Sequence, residues 1–163
     1  MKERVYLETS FISYLAAPPR NSRDIVTAAH HQLTIEWWDL RRHIFDVFVS
    51  EIVLDEAEKG NPDVSALRGS LLSSISCLPV LPEARELARA ILASGLLPRK
   101  AAVDALHLSV ATVHELDYLL TWNCKHLANQ HVLPRLAVLV ERLGLALPIV
   151  CTPEELMEEA DAN

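Results

Sequence analysis

The stretch that decides the fold runs from residue 103 to residue 129 and reads VDALHLSVATVHELDYLLTWNCKHLAN. Apolar residues recur at helical spacing between Lys100 and Glu115, which predicts a helix. Tyr118–Leu120 is a short β-prone run and predicts a strand. Asn123 follows just after the end of that strand. The stretch therefore predicts a helix that leads into a strand, with polar groups directly beyond it.

The same alternation of strand and helix runs through the rest of the chain. Further strands are predicted at residues 5–7, 47–49, 75–81 and 149–150. Helices are predicted at residues 11–17, 24–43, 51–59, 63–74, 83–94 and, with a break at Pro134, 124–143. Strands separated by helices imply right-handed crossovers and a mostly parallel sheet with helices on both faces. We expect an α/β fold, a three-layer α/β/α sandwich, in a single domain over residues 1–163.

The composition indicates a folded protein and limits the classes of ligand that it can bind. The chain has 163 residues, half of them hydrophobic and 23% charged, which excludes a disordered chain. Its net charge of −7 disfavours a sequence-independent DNA binder, because such proteins hold nucleic acid through a general basic surface. Carboxylates gathered at one place can still bind a divalent cation, which then attracts a phosphate group.

The cysteines and the first residues indicate where the protein works. Cys77, Cys124 and Cys151 are an odd number, widely separated, and form no C-x-x-C motif, so neither a disulfide framework nor a zinc knuckle is indicated. Glu3 and Arg4 occupy positions where a signal peptide needs apolar residues, and no later segment is long and apolar enough to span a membrane. We expect a soluble protein of the reducing cytoplasm, with no membrane partner.

Four oxygen-bearing side chains are predicted to meet at the carboxyl edge of the sheet. Glu8 ends the first strand, and Asn123 follows the strand at residues 118–120. A helical projection predicts that Glu56 points inward between apolar neighbours, and that the other charged residues of its helix share a face exposed to solvent. Asp104 shares a helical stripe with apolar residues. In open parallel sheets, ligands bind beyond the carboxyl ends of the strands.

This arrangement favours divalent-metal hydrolysis of phosphodiesters. Crowded carboxylates repel one another without a cation, and Mg²⁺ prefers hard oxygen ligands while it keeps several waters. The cation can activate a water molecule as the nucleophile and offset the charge that develops on the phosphate oxygens. Single residues also have ordinary structural interpretations: Asp104 as a partner of its helix dipole, and Asn123 as a turn residue.

Three motifs of the chain stand in a definite order: VYLETSFISYL from residue 5, VSEIVLDEAEKG from residue 49, and the stretch from residue 103 quoted above. Together they resemble the PIN-domain ribonucleases, and most closely the VapC-like toxins of toxin-antitoxin pairs. The resemblance implies an α/β/α sandwich, endoribonuclease activity that depends on Mg²⁺ or Mn²⁺, homodimerisation, and inhibition by a cognate antitoxin protein. The family includes members that act on tRNA, rRNA or mRNA.

The resemblance also implies roles for individual residues. It makes Glu8, Glu56 and Asp104 catalytic metal ligands. It makes Asn123 a fourth catalytic position, where an amide carbonyl can assist but carries no charge. Three hydroxyl groups are implied to support the site as hydrogen-bond donors or substrate contacts, namely those of Thr9, Ser10 and Thr121.

Three further residues lie close to these positions in the sequence. Lys125 and His126, shortly after Asn123, are predicted to contact a substrate phosphate, with a solvated loop as the alternative. His107 lies three residues after Asp104. It is predicted either to orient the site through a hydrogen bond or to be an ordinary buried histidine with its nitrogens satisfied.

Two other functions are compatible with the same residues. Glu8 and Asn123 stand where the family usually carries Asp, so a catalytically weak or inactive PIN-fold binding module is one alternative. A DNA-directed nuclease with the same acidic site is the other. The short chain, which adds no DNA-clamping elements, favours RNA over DNA.

Overall fold

The computed structural model describes residues 1–17, 24–60 and 62–157, which form a five-stranded sheet. The strands are β1 (Arg4–Leu7), β2 (Asp46–Ser50), β3 (Ser76–Leu78), β4 (Tyr118–Leu120) and β5 (Ile149–Cys151). Every neighbouring pair is parallel, in the order β3-β2-β1-β4-β5. The direction of strand addition therefore reverses between β1 and β4. The single domain over residues 1–163 stays a prediction, and residues 158–163 lie outside the described residues.

Helices connect the strands in the described ranges: α1 (Thr9–Ala16), α2 (Ile25–Leu40), α3 (Glu51–Ala57), α4 (Pro62–Leu72), α5 (Pro82–Ala93), α6 (Ala102–Val113) and α7 (Leu133–Arg142). The chain moves outward from β1 to β3 and then returns to β4, so right-handed crossovers place α1–α4 and α5–α7 on opposite faces. The predicted three-layer α/β/α sandwich is confirmed, with a sheet that is parallel throughout. Among these helices, none combines the length and the apolar character needed to cross a membrane.

The middle of the sheet is fully buried because helices cover both of its faces. Val5, Tyr6 and Leu7 of β1 have no exposed surface, and neither do Leu119 and Leu120 of β4. A strand that is buried on both faces reads as a continuous apolar run instead of an alternation of apolar and polar residues. This pair of packed strands fixes the position of the residues that follow each of them.

Pairing between strands continues one residue beyond β1 and β4. The N–H of Glu8 donates to the carbonyl of Leu120 at 3.1 Å, and the N–H of Thr121 donates to the carbonyl of Cys151 at 3.1 Å. Both residues are thereby held at the carboxyl edge, at the point where strand addition reverses. Open α/β sheets bind their ligands in the crevice at such a point.

Three predicted elements have a boundary that differs from the structure by three residues or more, and the first is α2, which ends at Leu40 instead of residue 43. β3 ends at Leu78, short of the predicted residue 81, because Pro79 follows and has no N–H for the ladder. Residues 124–132 are not helical, and α7 begins only at Leu133. Pro134 therefore lies in the first turn of α7 and does not break a helix, since an N–H in the first turn has no helical partner to lose.

The cysteines give a direct test of the packing around β5. Cys151 is a buried free thiol in β5, whereas the free thiols of Cys77 and Cys124 are exposed. Burial raises the pKa of Cys151 to about 12, so its reactive thiolate form is scarce at neutral pH.

We expect a thiol reagent such as Ellman's reagent to modify Cys77 and Cys124 in the native protein, and Cys151 only after unfolding. The measurement is the number of thiols that react at pH 8 with and without urea, with Cys151→Ala as the control. Rapid reaction of all three thiols in the native protein would contradict the packing described for β5.

Candidate active site

Glu8 lies between β1 and α1, and its side chain turns back onto the start of α1. One carboxylate oxygen, Oε2, accepts hydrogen bonds from the Ser10 N–H at 3.0 Å, from the Ser10 hydroxyl, and from the Thr121 hydroxyl at 2.8 Å. Glu8 thus acts as the N-cap of α1. Only 6% of its surface is exposed, and a buried carboxylate needs such donors to offset the loss of water.

Glu56 lies on α3, the helix that follows β2, and its side chain reaches the same edge of the sheet as Glu8. Its Oε1 accepts hydrogen bonds from the Thr9 hydroxyl at 2.7 Å and from Nε2 of His107 at 2.7 Å. Partial burial raises the pKa of Glu56, but the hydrogen bonds from His107 and Thr9 outweigh it and leave the pKa below the ordinary value. The carboxylate is therefore ionised at neutral pH. The charged neighbours of Glu56 on this segment are exposed, as the helical projection predicts: Glu51, Asp55, Glu58 and Lys59.

His107 on α6 connects the two glutamates. Its Nε2 lies 2.7 Å from Oε1 of Glu56 and 4.0 Å from Oε1 of Glu8. Its Nδ1 lies 2.6 Å from the Tyr6 hydroxyl, which lies 2.7 Å from the Ser50 hydroxyl. Only 1% of the histidine is exposed. His107 is therefore a buried histidine with satisfied nitrogens, as one of its two predictions has it, and it contacts a site carboxylate. That it orients the site stays a prediction at this point.

Asp104 and Asn123 belong to a second hydrogen-bonded group. The Asn123 amide donates to Oδ1 of Asp104 at 3.1 Å, and Nδ1 of His126 lies 3.1 Å from Oδ2. The sequence predicts that the side-chain carbonyl of Asn123 assists at the metal site. In the structure this oxygen, Oδ1, accepts the N–H of His126 at 3.1 Å. The amide takes this orientation because an ionised carboxylate can only accept hydrogen bonds.

Thr121 joins the two groups. Its hydroxyl donates to Glu8 and accepts the N–H of Asn123 at 2.9 Å, and the residue has no exposed surface. Thr9 and Ser10 contact Glu56 and Glu8 respectively. The three hydroxyl groups predicted to support the site therefore do contact its carboxylates. Their effect on activity stays a prediction.

Sequence reasoning missed the hydrogen-bonded chain behind His107. Tyr6 lies in the interior of β1 and Ser50 ends β2, so both read as strand residues with no chemical role. The available signal was the spacing of His107 from Asp104, because residues three apart share one face of a helix. Lys125 is exposed, while His126 is engaged by Asp104. Their contact with a substrate phosphate stays a prediction.

The donor types at this edge fit a hard divalent cation, but their positions form no complete metal site. Within residues 1–17, 24–60 and 62–157, no group of three or more His, Cys, Asp or Glu side chains is placed to hold a metal ion. Oε1 of Glu8 and Oε2 of Glu56 accept no hydrogen bond from these residues, so each has an oxygen available. Among the same residues, each oxygen of Asp104 has one partner, Asn123 at Oδ1 and His126 at Oδ2, so each keeps a second lone pair that a cation could use.

Comparison with known proteins identifies the fold. No protein-family model matches the chain, and no curated protein matches it. Among solved structures, it is similar to Mycobacterium tuberculosis VapC20, a sarcin-ricin loop cleaving toxin, with a TM-score of 0.57, 18% identity, and coverage of 74% of this chain and 91% of that one. It is also similar to a chain of VapBC2 from Rickettsia felis, solved bound to a DNA fragment from their promoter, with a TM-score of 0.60, 17% identity, and coverage of 91% and 98%.

These likenesses confirm the predicted resemblance at the level of the fold: the chain has the PIN-like α/β/α fold of VapC proteins. Identities of 17–18% carry no residue roles from one protein to the other. The roles of the residues described above therefore depend on their own geometry.

We expect Thr121→Val to lower the free energy of unfolding by about 1–3 kcal/mol, because it leaves the Asn123 N–H without its partner and removes one of the three donors to Oε2 of the buried Glu8 carboxylate. The measurement is urea denaturation at neutral pH. The control is Thr112→Val, an equally buried position whose hydroxyl bonds only to the Leu108 carbonyl of its own helix. Equal losses for the two variants would contradict the connecting role of Thr121.

Proposed function

We propose that this protein is a divalent-metal-dependent endoribonuclease and the toxin of a toxin-antitoxin pair. The observation that carries the proposal is the convergence of Glu8, Glu56 and Asp104 on the carboxyl edge at which strand addition reverses. The PIN-like fold shared with a toxin that cleaves the sarcin-ricin loop supports RNA as the substrate. No observation favours a binding module without activity or a DNA-directed nuclease.

In this proposal, Glu8, Glu56 and Asp104 hold Mg²⁺, with Mn²⁺ as a substitute, and Asn123 assists by orienting Asp104. The support is the donor set itself: hard carboxylate oxygens, of which one on Glu8 and one on Glu56 have no hydrogen bond from the described residues. A divalent cation bound there would lower the pKa of a water molecule and offset the negative charge that develops on phosphate.

The chain's own residues then orient the attacking water and take its proton. Glu56 is suited to this role because its side chain is 31% exposed, against 7% for Glu8, and because it is ionised at neutral pH and can therefore accept a proton. The water oxygen forms a bond to phosphorus, the bond from phosphorus to the leaving oxygen breaks, the water proton passes to Glu56, and the leaving oxygen takes a proton from solvent. Lys125, exposed beside Asn123, contacts the backbone phosphate of the RNA.

The proposed biological setting has two protein partners. The VapBC2 structure, solved on promoter DNA, supports a cognate antitoxin that inhibits this chain. A homodimer is included because the resemblance to VapC-like toxins implies one, and the exposed apolar ends of α2, Ile25 at 83% and Leu40 at 60%, are compatible with it. The three free cysteines support a reducing cytoplasm as the location.

We expect Asp104→Asn to reduce cleavage of RNA at least about 100-fold, because the change removes one charge from the site and preserves the shape of the side chain. The measurement is cleavage of mixed cellular RNA in Mg²⁺, in Mn²⁺ and in EDTA. Asp39→Asn, at an exposed position near the end of α2, is the matched control and keeps full activity. Cleavage by folded Asp104→Asn at the wild-type rate would overturn the assignment of this residue.

We expect Mn²⁺ to raise the melting temperature of the wild type but not of Glu56→Gln, because a ligand that binds only the folded state stabilises it. The measurement is thermal unfolding at increasing Mn²⁺ concentration, without RNA. Glu58→Gln is the matched control, since Glu58 directly follows α3 and is exposed. An equal shift for Glu56→Gln and the wild type would place the cation elsewhere.

A further inference from the structure

We infer that His107 is a positioning residue for the acidic site: its Nε2–H holds the Glu56 carboxylate in place at 2.7 Å, and Oε1 of Glu8 lies 4.0 Å from the same nitrogen. The inference goes beyond the proposed function in naming a residue outside the metal-ligand set. Its catalytic consequence rests on the proposed function, whereas its hydrogen bonds do not.

The first support is that His107 ties together separate elements of the fold. The ring lies on α6, its Nε2 bonds Glu56 of α3, and its Nδ1 bonds Tyr6 of β1. Tyr6 in turn bonds Ser50 at the end of β2. With 1% of its surface exposed, the imidazole cannot turn towards solvent. Because both of its nitrogens are hydrogen-bonded, the buried His107 ring is held in one orientation, and it restricts the movement of the partly exposed Glu56 carboxylate.

As a second support, the hydrogen bonds that join Ser50, Tyr6, His107 and Glu56 allow one consistent assignment of donors and acceptors. The Glu56 carboxylate only accepts, so Nε2 carries the proton and donates. In the neutral ring Nδ1 is then an acceptor, and the Tyr6 hydroxyl donates to it. The single proton of Tyr6 is used in this bond, so the Ser50 hydroxyl donates to the Tyr6 oxygen. The chain from Ser50 to Glu56 therefore selects the Nε2–H form of His107.

The third support is electrostatic. The same Nε2 lies 4.0 Å from Oε1 of Glu8, so both carboxylates lie close to one N–H group. Two carboxylates in a poorly hydrated place repel each other, and a donor between them reduces that repulsion. Among the described residues, no Lys or Arg forms an ion pair with either glutamate, and the Nε2–H of His107 is the polar ring group that lies within 4.0 Å of both. Without the imidazole, Oε1 of Glu56 would keep only Thr9.

Two substitutions of His107 distinguish a role in positioning Glu56 from a role in packing alone. In His107→Gln the side-chain amide can reach the place of Nε2 and donate to Glu56. In His107→Asn the shorter side chain reaches only the place of Nδ1, so it can bond Tyr6 but not Glu56. Both variants are polar and smaller than histidine, so a residue that served only packing would give similar results for the two.

We expect His107→Asn to lower both the kcat for RNA cleavage and the affinity for Mn²⁺ by about 10–100-fold, with little change in KM. We expect His107→Gln to keep most of the wild-type kcat and most of the wild-type affinity for Mn²⁺. Mn²⁺ affinity is measured by calorimetry without RNA, so it does not depend on turnover. Ser109→Ala is the control on the same helix, because within the described part of the chain this buried hydroxyl bonds only to the Ala105 carbonyl. Equal losses for Gln and Asn, in variants of equal stability, would overturn the inference.

A measurement on the wild type keeps the inference distinct from the proposed function. Two-dimensional ¹H–¹⁵N NMR of the histidine rings reports which nitrogen of His107 carries the proton. We expect a protonated Nε2, with a resonance that moves in Glu56→Gln. If the protein neither cleaves RNA nor binds Mn²⁺ but shows this form, the proposed function fails and the positioning of Glu56 stands. A ring protonated only at Nδ1 overturns the inference even if the protein is an active nuclease.

Discussion

The carboxylates of Glu8 and Glu56 both lie close to one nitrogen of a buried imidazole, and the rest of the site is built around that contact. Their mutual repulsion would push Glu56, the more exposed of the two, away from the edge of the sheet. Donors on different elements oppose this: Thr9 on α1 and His107 on α6 hold Glu56, and Thr121 after β4 holds Glu8. The stability of the site is thus a property of the whole sheet edge and not of any one helix.

The fold supplies these donors through its strand order. Because strand addition reverses between β1 and β4, the helices that follow the two sides of the sheet leave on opposite faces, and such a point is where open α/β sheets have their crevice. Glu8 and Thr121 stand side by side there because pairing continues past both strands. Asp104 enters from α6, on the same helical face as His107, and meets Asn123 in the loop after β4. Distant parts of the sequence therefore meet at one place.

Much of this could be predicted from the sequence, and the parts that could not have physical reasons. The apolar runs of β1 and β4 and the inward direction of Glu56 follow from periodicity, which depends on local geometry alone. The start of α7 could not be predicted in the same way, because residues 124–132 carry helix-forming side chains but turn around Asn123. The orientation of the Asn123 amide and the contacts of His107 depend on partners far away in the chain, which local patterns do not report.

The central claim is that this acidic edge binds a divalent cation between Glu8, Glu56 and Asp104. Anomalous diffraction from a crystal soaked in Mn²⁺ tests it most directly, because it locates the ion without reference to any reaction. The account predicts a peak about 2.1 Å from oxygens of Glu8 and Glu56, with Asp104 in the same coordination shell directly or through water. A fully soaked crystal with no peak at this edge, or with its strongest peak elsewhere on the molecule, would contradict it.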